Sequence, residues 1–287
     1  MKIDQLFQDG KITLSFEVFP PKTTDKLESV KAATEKIAAL HPSFMSVTYG
    51  AGGGTSDYTT AIAQNIQNTE HVPTLAHLTC VSSSQEKIDQ QLQLLQNNGI
   101  ENIMALRGDI PEGALPQEAW SFRHASELIR HIKEYGDFCV GGACYPEGHP
   151  ESANQREDIQ NLKKKVEAGC DFLTTQMFFD NNILYNFFYK IREAGITVPV
   201  VAGIMPVTNG RQIARICRIS GNTLPPRFKQ IIDRFADRPA AMKQAGIAFA
   251  TEQIIDLLAN GVNHIHVYSM NKPDVAREIQ DNLSEIL

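Results

Sequence analysis

Glu17 interrupts an apolar run, Phe16-Glu17-Val18-Phe19, just before Pro20 and Pro21. A carboxyl that loses solvation has its charged form disfavoured, the condition a general acid at neutral pH requires. The other reading of such a residue is a strand-end acid paired with a lysine or arginine. Arg107-Gly108-Asp109 sets a fixed cation and a carboxylate on either side of a glycine. A guanidinium there can hold a diphosphate, and the carboxylate can tune a bound ring or accept its N–H groups, a surface salt bridge being the plainer alternative. Gly50-Ala51-Gly52-Gly53-Gly54-Thr55 lets a backbone approach a ligand closely, but Thr55 stands where a dinucleotide fingerprint needs its third glycine. Lys163, Lys164 and Lys165 read as the solvated face of a helix.

His264 and His266 alternate on one strand face together with Tyr268, a spacing that can bind zinc. His264 falls at the start of its strand and no Asp or Cys lies nearby in a ligand pattern, so no metal site is expected. The Gly-x-Ser-x-Gly elbow, the His-Glu-x-x-His helix and the phosphate-binding P-loop are absent.

The elements that must carry these residues alternate along the chain. Short apolar runs at Ile12–Val18, Phe44–Thr48, Thr74–Leu78, Asn102–Leu106, Phe138–Ala143, Phe172–Met177, Val198–Ile204 and His264–Tyr268 read as strands. Amphipathic segments between them, such as Asp25–Leu40, Ser84–Asn98 and Gln155–Ala168, read as helices. The strands recur about every 25 to 35 residues, the length of a βα unit. The seventh interval is longer and carries Asn209–Ile219, Pro226–Arg234 and Arg238–Leu258, two or three helices inserted before the last strand. Glycines 99, 169, 195 and 261 close helices shortly before strands. Eight successive units without a composition break favour a single catalytic (β/α)8 TIM barrel over a doubly wound sheet. In that fold the strand C-termini build the active site, and Glu17, Arg107, Asp109 and Tyr268 fall at those ends.

Hydrophobic residues make up 42% of the 287 and charged residues 21%, ordinary for a globular chain. A formal net charge of −6 argues against a nucleic-acid partner. No leader-like apolar stretch or membrane span is readable, which leads to the expectation of a cytoplasmic protein. Five cysteines without a Cys-x-x-Cys pair point to reduced, buried thiols.

Five ordered blocks, Ser15-Phe16-Glu17-Val18-Phe19-Pro20-Pro21-Lys22, Ser46-Val47-Thr48-Tyr49-Gly50-Ala51-Gly52-Gly53, Ala76-His77-Leu78-Thr79-Cys80, Ala105-Leu106-Arg107-Gly108-Asp109 and Tyr145-Pro146-Glu147-Gly148-His149-Pro150, resemble the signature of the methylenetetrahydrofolate reductase family across nearly the whole chain. The length is similar to that of the bacterial catalytic barrel without a regulatory domain. The resemblance implies non-covalent FAD, NADH or NADPH as co-substrate, and ping-pong reduction of 5,10-methylenetetrahydrofolate to 5-methyltetrahydrofolate, which supplies methyl groups for methionine synthesis.

The resemblance implies residue roles as well. Glu17 protonates the leaving nitrogen of the folate ring, and Asp109 sits by the flavin. Thr48, Tyr49, His77, Arg107, Gly108, Asp109, Ala143, Tyr145, His149, Asp158, Asn161 and Lys165 bind FAD, which moves Lys165 out of the solvated face. Gln176 binds the pterin, Tyr268 and Lys272 border the folate, and Gln212 and Ile216 lie on a helix over the flavin face. The resemblance implies a homo-oligomer too, a homotetramer. A flavin barrel acting on another cyclic amine such as proline does not account for the Glu17–Pro21 block. An inactive folate-binding barrel predicts a missing acid or flavin contact, whereas Glu17, Asp109 and Gln176 are all present.

Overall fold

The computed structural model describes residues 1–8, 10–21, 23–49, 56–110, 113 and 120–287. Eight strands, β1 (Thr13–Val18), β2 (Met45–Val47), β3 (Thr74–Thr79), β4 (Asn102–Leu106), β5 (Cys139–Cys144), β6 (Phe172–Thr175), β7 (Val200–Ile204) and β8 (His264–Tyr268), pair in chain order into a closed barrel. Every pairing is parallel, and β1 closes the ring against β8 with Glu17 opposite Tyr268.

The helices that cross over between strands are α1 (Leu27–Ala38), α2 (Ser56–Asn68), α3 (Gln85–Asn97), α4 (Ala125–Tyr135), α5 (Gln155–Glu167) and α6 (Asn181–Glu193). Side-chain acceptors cap the start of several: Ser84 accepts from Lys87 N at α3, and Asn154 from Glu157 N at α5. At the other ends Gly99, Gly169, Gly195 and Gly261 take positive φ, the turn that returns a helix to the sheet. Three helices follow β7: α7 (Gly210–Ser220), α8 (Pro226–Phe235) and α9 (Pro239–Ala259). The long α9 belongs to the ring itself, because Ile247, Ala250, Ile254 and Leu257 join the core around the barrel. The insertion is therefore α7 and α8. A final helix after β8, α10 (Pro273–Asn282), was not read from the sequence; it buries Val275, Ala276 and Ile279 and completes the ring.

The two-residue period of the strands sorts the core. Phe16, Val18, Met45, Val47, Ala76, Leu78, Val140 and Val267 face outward into the helices. The barrel's lower interior is a separate apolar cluster of Phe44, Leu75, Met104, Cys139, Phe172 and Val201, closed from below by Ile3. Phe7 stacks its edge against Phe172 at 5.2 Å and lies 4.7 Å from the His264 ring. β2 and β6 are shorter than the runs Phe44–Thr48 and Phe172–Met177 suggest. The chain still bonds to its neighbour, Thr48 N to Val18 O and Gln176 N to Cys144 O, before bending into the rim. All five cysteines are buried and unpaired, and no helix among the described residues is long and apolar enough to cross a membrane.

α7 and α8 pack on Met177, Phe179, Val207 and Met242, which ties the loop after β7 to the ring. The tightest point is Gly246 of α9, where an added Cβ would sit 1.9 Å from Val207 O. Within a helix alanine is ordinarily preferred over glycine by about 1 kcal/mol. The opposite sign is expected here: Gly246→Ala lowers the unfolding free energy by about 1–3 kcal/mol in denaturant titration. An unchanged or raised midpoint would show that α9 and Val207 do not approach this closely.

Candidate functional site

The C-terminal rim of the barrel encloses a cavity of about 1180 Å³. Fifteen of the residues given a role by the resemblance line it: Glu17, Thr48, Tyr49, His77, Arg107, Gly108, Asp109, Ala143, Tyr145, His149, Asp158, Asn161, Lys165, Gln176 and Tyr268. They come from β1 to β6, β8, the loops that follow them, and α5, and only closure of the ring brings them together. Gln212, Ile216 and Lys272 instead line a smaller cavity of about 280 Å³ beside Met205 and Thr208. Lys272 Nζ donates to Thr208 Oγ1 at 2.6 Å. The glycine run 50–54, Thr55 and Lys22 lie outside the described residues.

Glu17 forms the floor. Its sequence neighbours Phe16 and Val18 point out to the helices, so the apolar flanks do not surround the carboxyl. Its surroundings are set by strand pairing instead: Ser46 Oγ lies 3.5 Å, His77 Nε2 3.7 Å and His266 Nε2 4.0 Å from Glu17 Oε2. The expectation of desolvation by the adjacent aromatic residues is corrected to partial burial, 18% exposed, among polar groups from three other strand positions. Burial pushes the His77 imidazole down to about 4, against an opposing pull from Glu17, so it is neutral at pH 7. His77 Nε2 and Thr174 Oγ1 are buried without a hydrogen-bond partner, and both residues line the cavity. Tyr268 donates its phenol to Thr175 O at 2.5 Å, and burial raises its pKa well above the usual value.

One wall is α5, where Asp158, Asn161 and Lys165 lie at i, i+3 and i+7 on one helix face. Lys165 Nζ donates to Ala143 O at 2.7 Å. Burial lowers the Lys165 pKa and raises that of Asp158, and each opposes the other's shift. Lys163 is not among the cavity-lining residues, while Lys164 and Lys165 are. Next to this wall the Tyr145 and His149 rings meet edge-on at 4.6 Å.

At the mouth Arg107 makes a two-pronged pair with Glu151, with Nη2 to Oε1 at 2.7 Å, and this hydrogen bonding raises the guanidinium's pKa. Asp109 is exposed on the same rim. The arrangement is a chamber of mixed polar and apolar lining, with cations on one wall and at the mouth and a carboxyl at its end. It has the volume and the cations to hold a large anionic ligand.

Sequence reading did not single out Ser15, Ser46, Thr174 or Glu151, and it weighed His266 only as a metal ligand. His266 bonds Ser15 Oγ at 2.8 Å and Ser46 Oγ at 3.0 Å, while His264 meets Thr13 Oγ1 at 3.1 Å at the opposite end of the strand. The Ser-x-Glu and His-x-His alternations were the available signals, but the partners are 220 to 251 residues apart in the chain.

A family model described as methylenetetrahydrofolate reductase matches residues 2–284. Methylenetetrahydrofolate reductase (NADH) 1 of Arabidopsis thaliana is 38% identical over 99% of this chain and 50% of its own length. The 5,10-methylenetetrahydrofolate reductase of Escherichia coli (strain K12) is 34% identical over 94% of this chain and 90% of its own. The chain thus spans about half the length of the plant relatives it matches and most of the length of the bacterial ones. An uncharacterized protein from Clostridium thermocellum that binds two copies of 5-methyl-5,6,7,8-tetrahydrofolic acid shares the fold, with a TM-score of 0.65 over 100% of both chains at 13% identity. Ordered blocks, barrel and full-length match agree, and the chain belongs to the methylenetetrahydrofolate reductase family.

Proposed function

We propose that this chain reduces 5,10-methylenetetrahydrofolate to 5-methyltetrahydrofolate with NAD(P)H, using non-covalent FAD in two separate half-reactions. The observation that carries this reading is Glu17 at the closed end of a cavity otherwise lined by groups suited to a dinucleotide. The residues fit FAD in three respects. Arg107 already holds a bidentate oxyanion, the Glu151 carboxylate, in the geometry a diphosphate offers. His77 Nε2 and Thr174 Oγ1 are buried polar atoms lacking partners. Lys165 brings a cation to the wall where Asn161 and Asp158 can bond ribityl or ribose hydroxyls.

When bound, FAD supplies the hydride carrier between the nicotinamide and the folate. The chain's own residues do the rest. Reduction requires the folate's five-membered ring to open, which leaves a cationic iminium and a nitrogen in need of a proton. Glu17 holds that proton and donates it to the leaving nitrogen. Asp109, on the rim, places a negative charge where it stabilises the iminium. Gln176 offers both donor and acceptor to the pterin edge, its Oε1 also accepting from Met177 N at 3.0 Å. Tyr268 borders the ring, and Lys272, in the adjoining smaller cavity with Gln212, suits the acidic tail of the folate.

The purified protein should take up FAD, turn yellow, bleach with NADH or NADPH and recover its colour with methylenetetrahydrofolate; a colourless protein that binds no FAD sinks the proposal. Glu17→Gln should keep FAD binding and bleaching but slow the folate half-reaction by about 10²-fold or more in stopped-flow measurements. Lys165→Met should weaken FAD binding by about tenfold or more in a fluorescence titration, because it removes a buried charged donor. An unchanged dissociation constant would take Lys165 out of the cofactor site.

A further inference from the structure

We propose that Tyr268 and Thr175 are positioning residues for Gln176, and that the Tyr268 hydroxyl acts on the folate through that amide rather than by touching the ligand. The proposal rests on Gln176 being the pterin-binding group of the reaction above.

Side chains hold the end of β6 where its ladder stops. Against β5 the register runs as far as Cys144 opposite Thr175, and Gln176 N then donates to Cys144 O at 2.7 Å. Against β7 the paired positions end one residue earlier, with Thr174 opposite Val201. Leu173 N donates to Pro199 O, so the alternation of a parallel strand turns the peptide groups of Thr175 toward β7 as well. There Gly203 N donates to Thr175 Oγ1 at 2.8 Å, and Thr175 O accepts from the Tyr268 hydroxyl at 2.5 Å. A carbonyl oxygen can only accept, so the phenol's one hydrogen is committed to the main chain. Three neighbouring strands thus fix the backbone from which the Gln176 side chain enters the cavity.

Tyr268 reaches β6 by crossing in front of β7. Val201 and Gly203 are the inward positions of that strand, because Val200, Ala202 and Ile204 belong to the core around the barrel. A Cβ added to Gly203 would lie 2.5 Å from the Tyr268 hydroxyl oxygen and nearer still to Thr175 O. The space left by the missing side chain is the space the phenol fills. In the strand register Tyr268 stands opposite Glu17 of β1. One side chain therefore starts beside the proton donor and ends on the peptide that precedes Gln176. It sets the spacing of two groups that must meet the same pterin.

Folic acid, a pterin without the reactive one-carbon bridge, reads binding apart from chemistry in calorimetric titration of the FAD-loaded protein. Tyr268→Phe keeps the ring and removes the hydrogen bond; Thr175→Val keeps the volume and removes Oγ1. Each should weaken folic acid binding by about five- to tenfold. Thr175→Ser, which retains the hydroxyl, should bind as wild type does, and unchanged FAD uptake reports folding in every variant. The deciding measurement is a double-mutant cycle with Gln176→Leu. Once the amide is gone, Tyr268→Phe should cost less than about twofold more. Losses that multiply in full overturn the proposal, because the hydroxyl would then meet the ligand itself. Wild-type affinity in either Tyr268→Phe or Thr175→Val overturns it too. A Gln176→Leu variant that binds folic acid as tightly as wild type would instead overturn the pterin role of Gln176, and the proposal with it.

Discussion

Closing eight parallel strands into a ring gives each strand side chain only two directions, outward to the helices or inward to the axis, and the rest of the molecule follows from that division. Outward positions meet the ring of helices and are apolar almost without exception, from Phe16 and Val18 on β1 to Ile265 and Val267 on β8. Inward positions share a narrow interior, so a residue's environment depends on its height along the axis. At the bottom, Phe44, Leu75, Met104 and Phe172 fill the barrel with apolar volume beneath which Ile3 and Phe7 pack. One layer up the interior becomes polar with Ser15, Ser46 and His266, and above that it opens at Glu17 and His77.

This gradient places a hydrogen-bonded polar layer directly under the Glu17 carboxyl. Buried hydroxyls and imidazoles require partners, and here each finds one within the ring: Ser15 with Ile265 O and His266, and His266 in turn with Ser46. A network satisfied in this way holds its members rigidly. The aromatic layer below shuts the network off from solvent, with Phe44 stacked 5.6 Å from the His266 ring.

The rim works by a different physical rule. It holds charged groups instead of neutral hydrogen bonds: Arg107 is paired with Glu151 at the mouth, and on the α5 wall Lys165 donates to Ala143 O with Asp158 on the same helix face. The Arg107–Glu151 pair keeps charge in a half-buried place without an unpaired ion. The insertion between β7 and β8 supports one side of this rim, since Val207 and Met177 are gripped by α7, α8 and the close pass of α9 at Gly246.

By itself the sequence determined what depends on local period and on residue type. The alternation of short apolar runs with amphipathic segments revealed eight strands and a barrel, glycines marked the helix ends, and polar residues at strand ends marked the face that carries the site. It misplaced the environment of Glu17, because residues adjacent in a strand point to opposite faces; Phe16 and Val18 lie outside the barrel while the carboxyl lies within. It could not show that Gln212 and Lys272 belong to a cavity of their own, or that Arg107 faces Glu151, because those relations are set by how loops fold over the rim. Most of all, the polar layer beneath Glu17 joins β1 and β2 to β8, with partners more than 200 positions apart in the chain. Only ring closure, which lays the last strand against the first, decided that a histidine near the end of the chain would lie beneath an acid near its beginning.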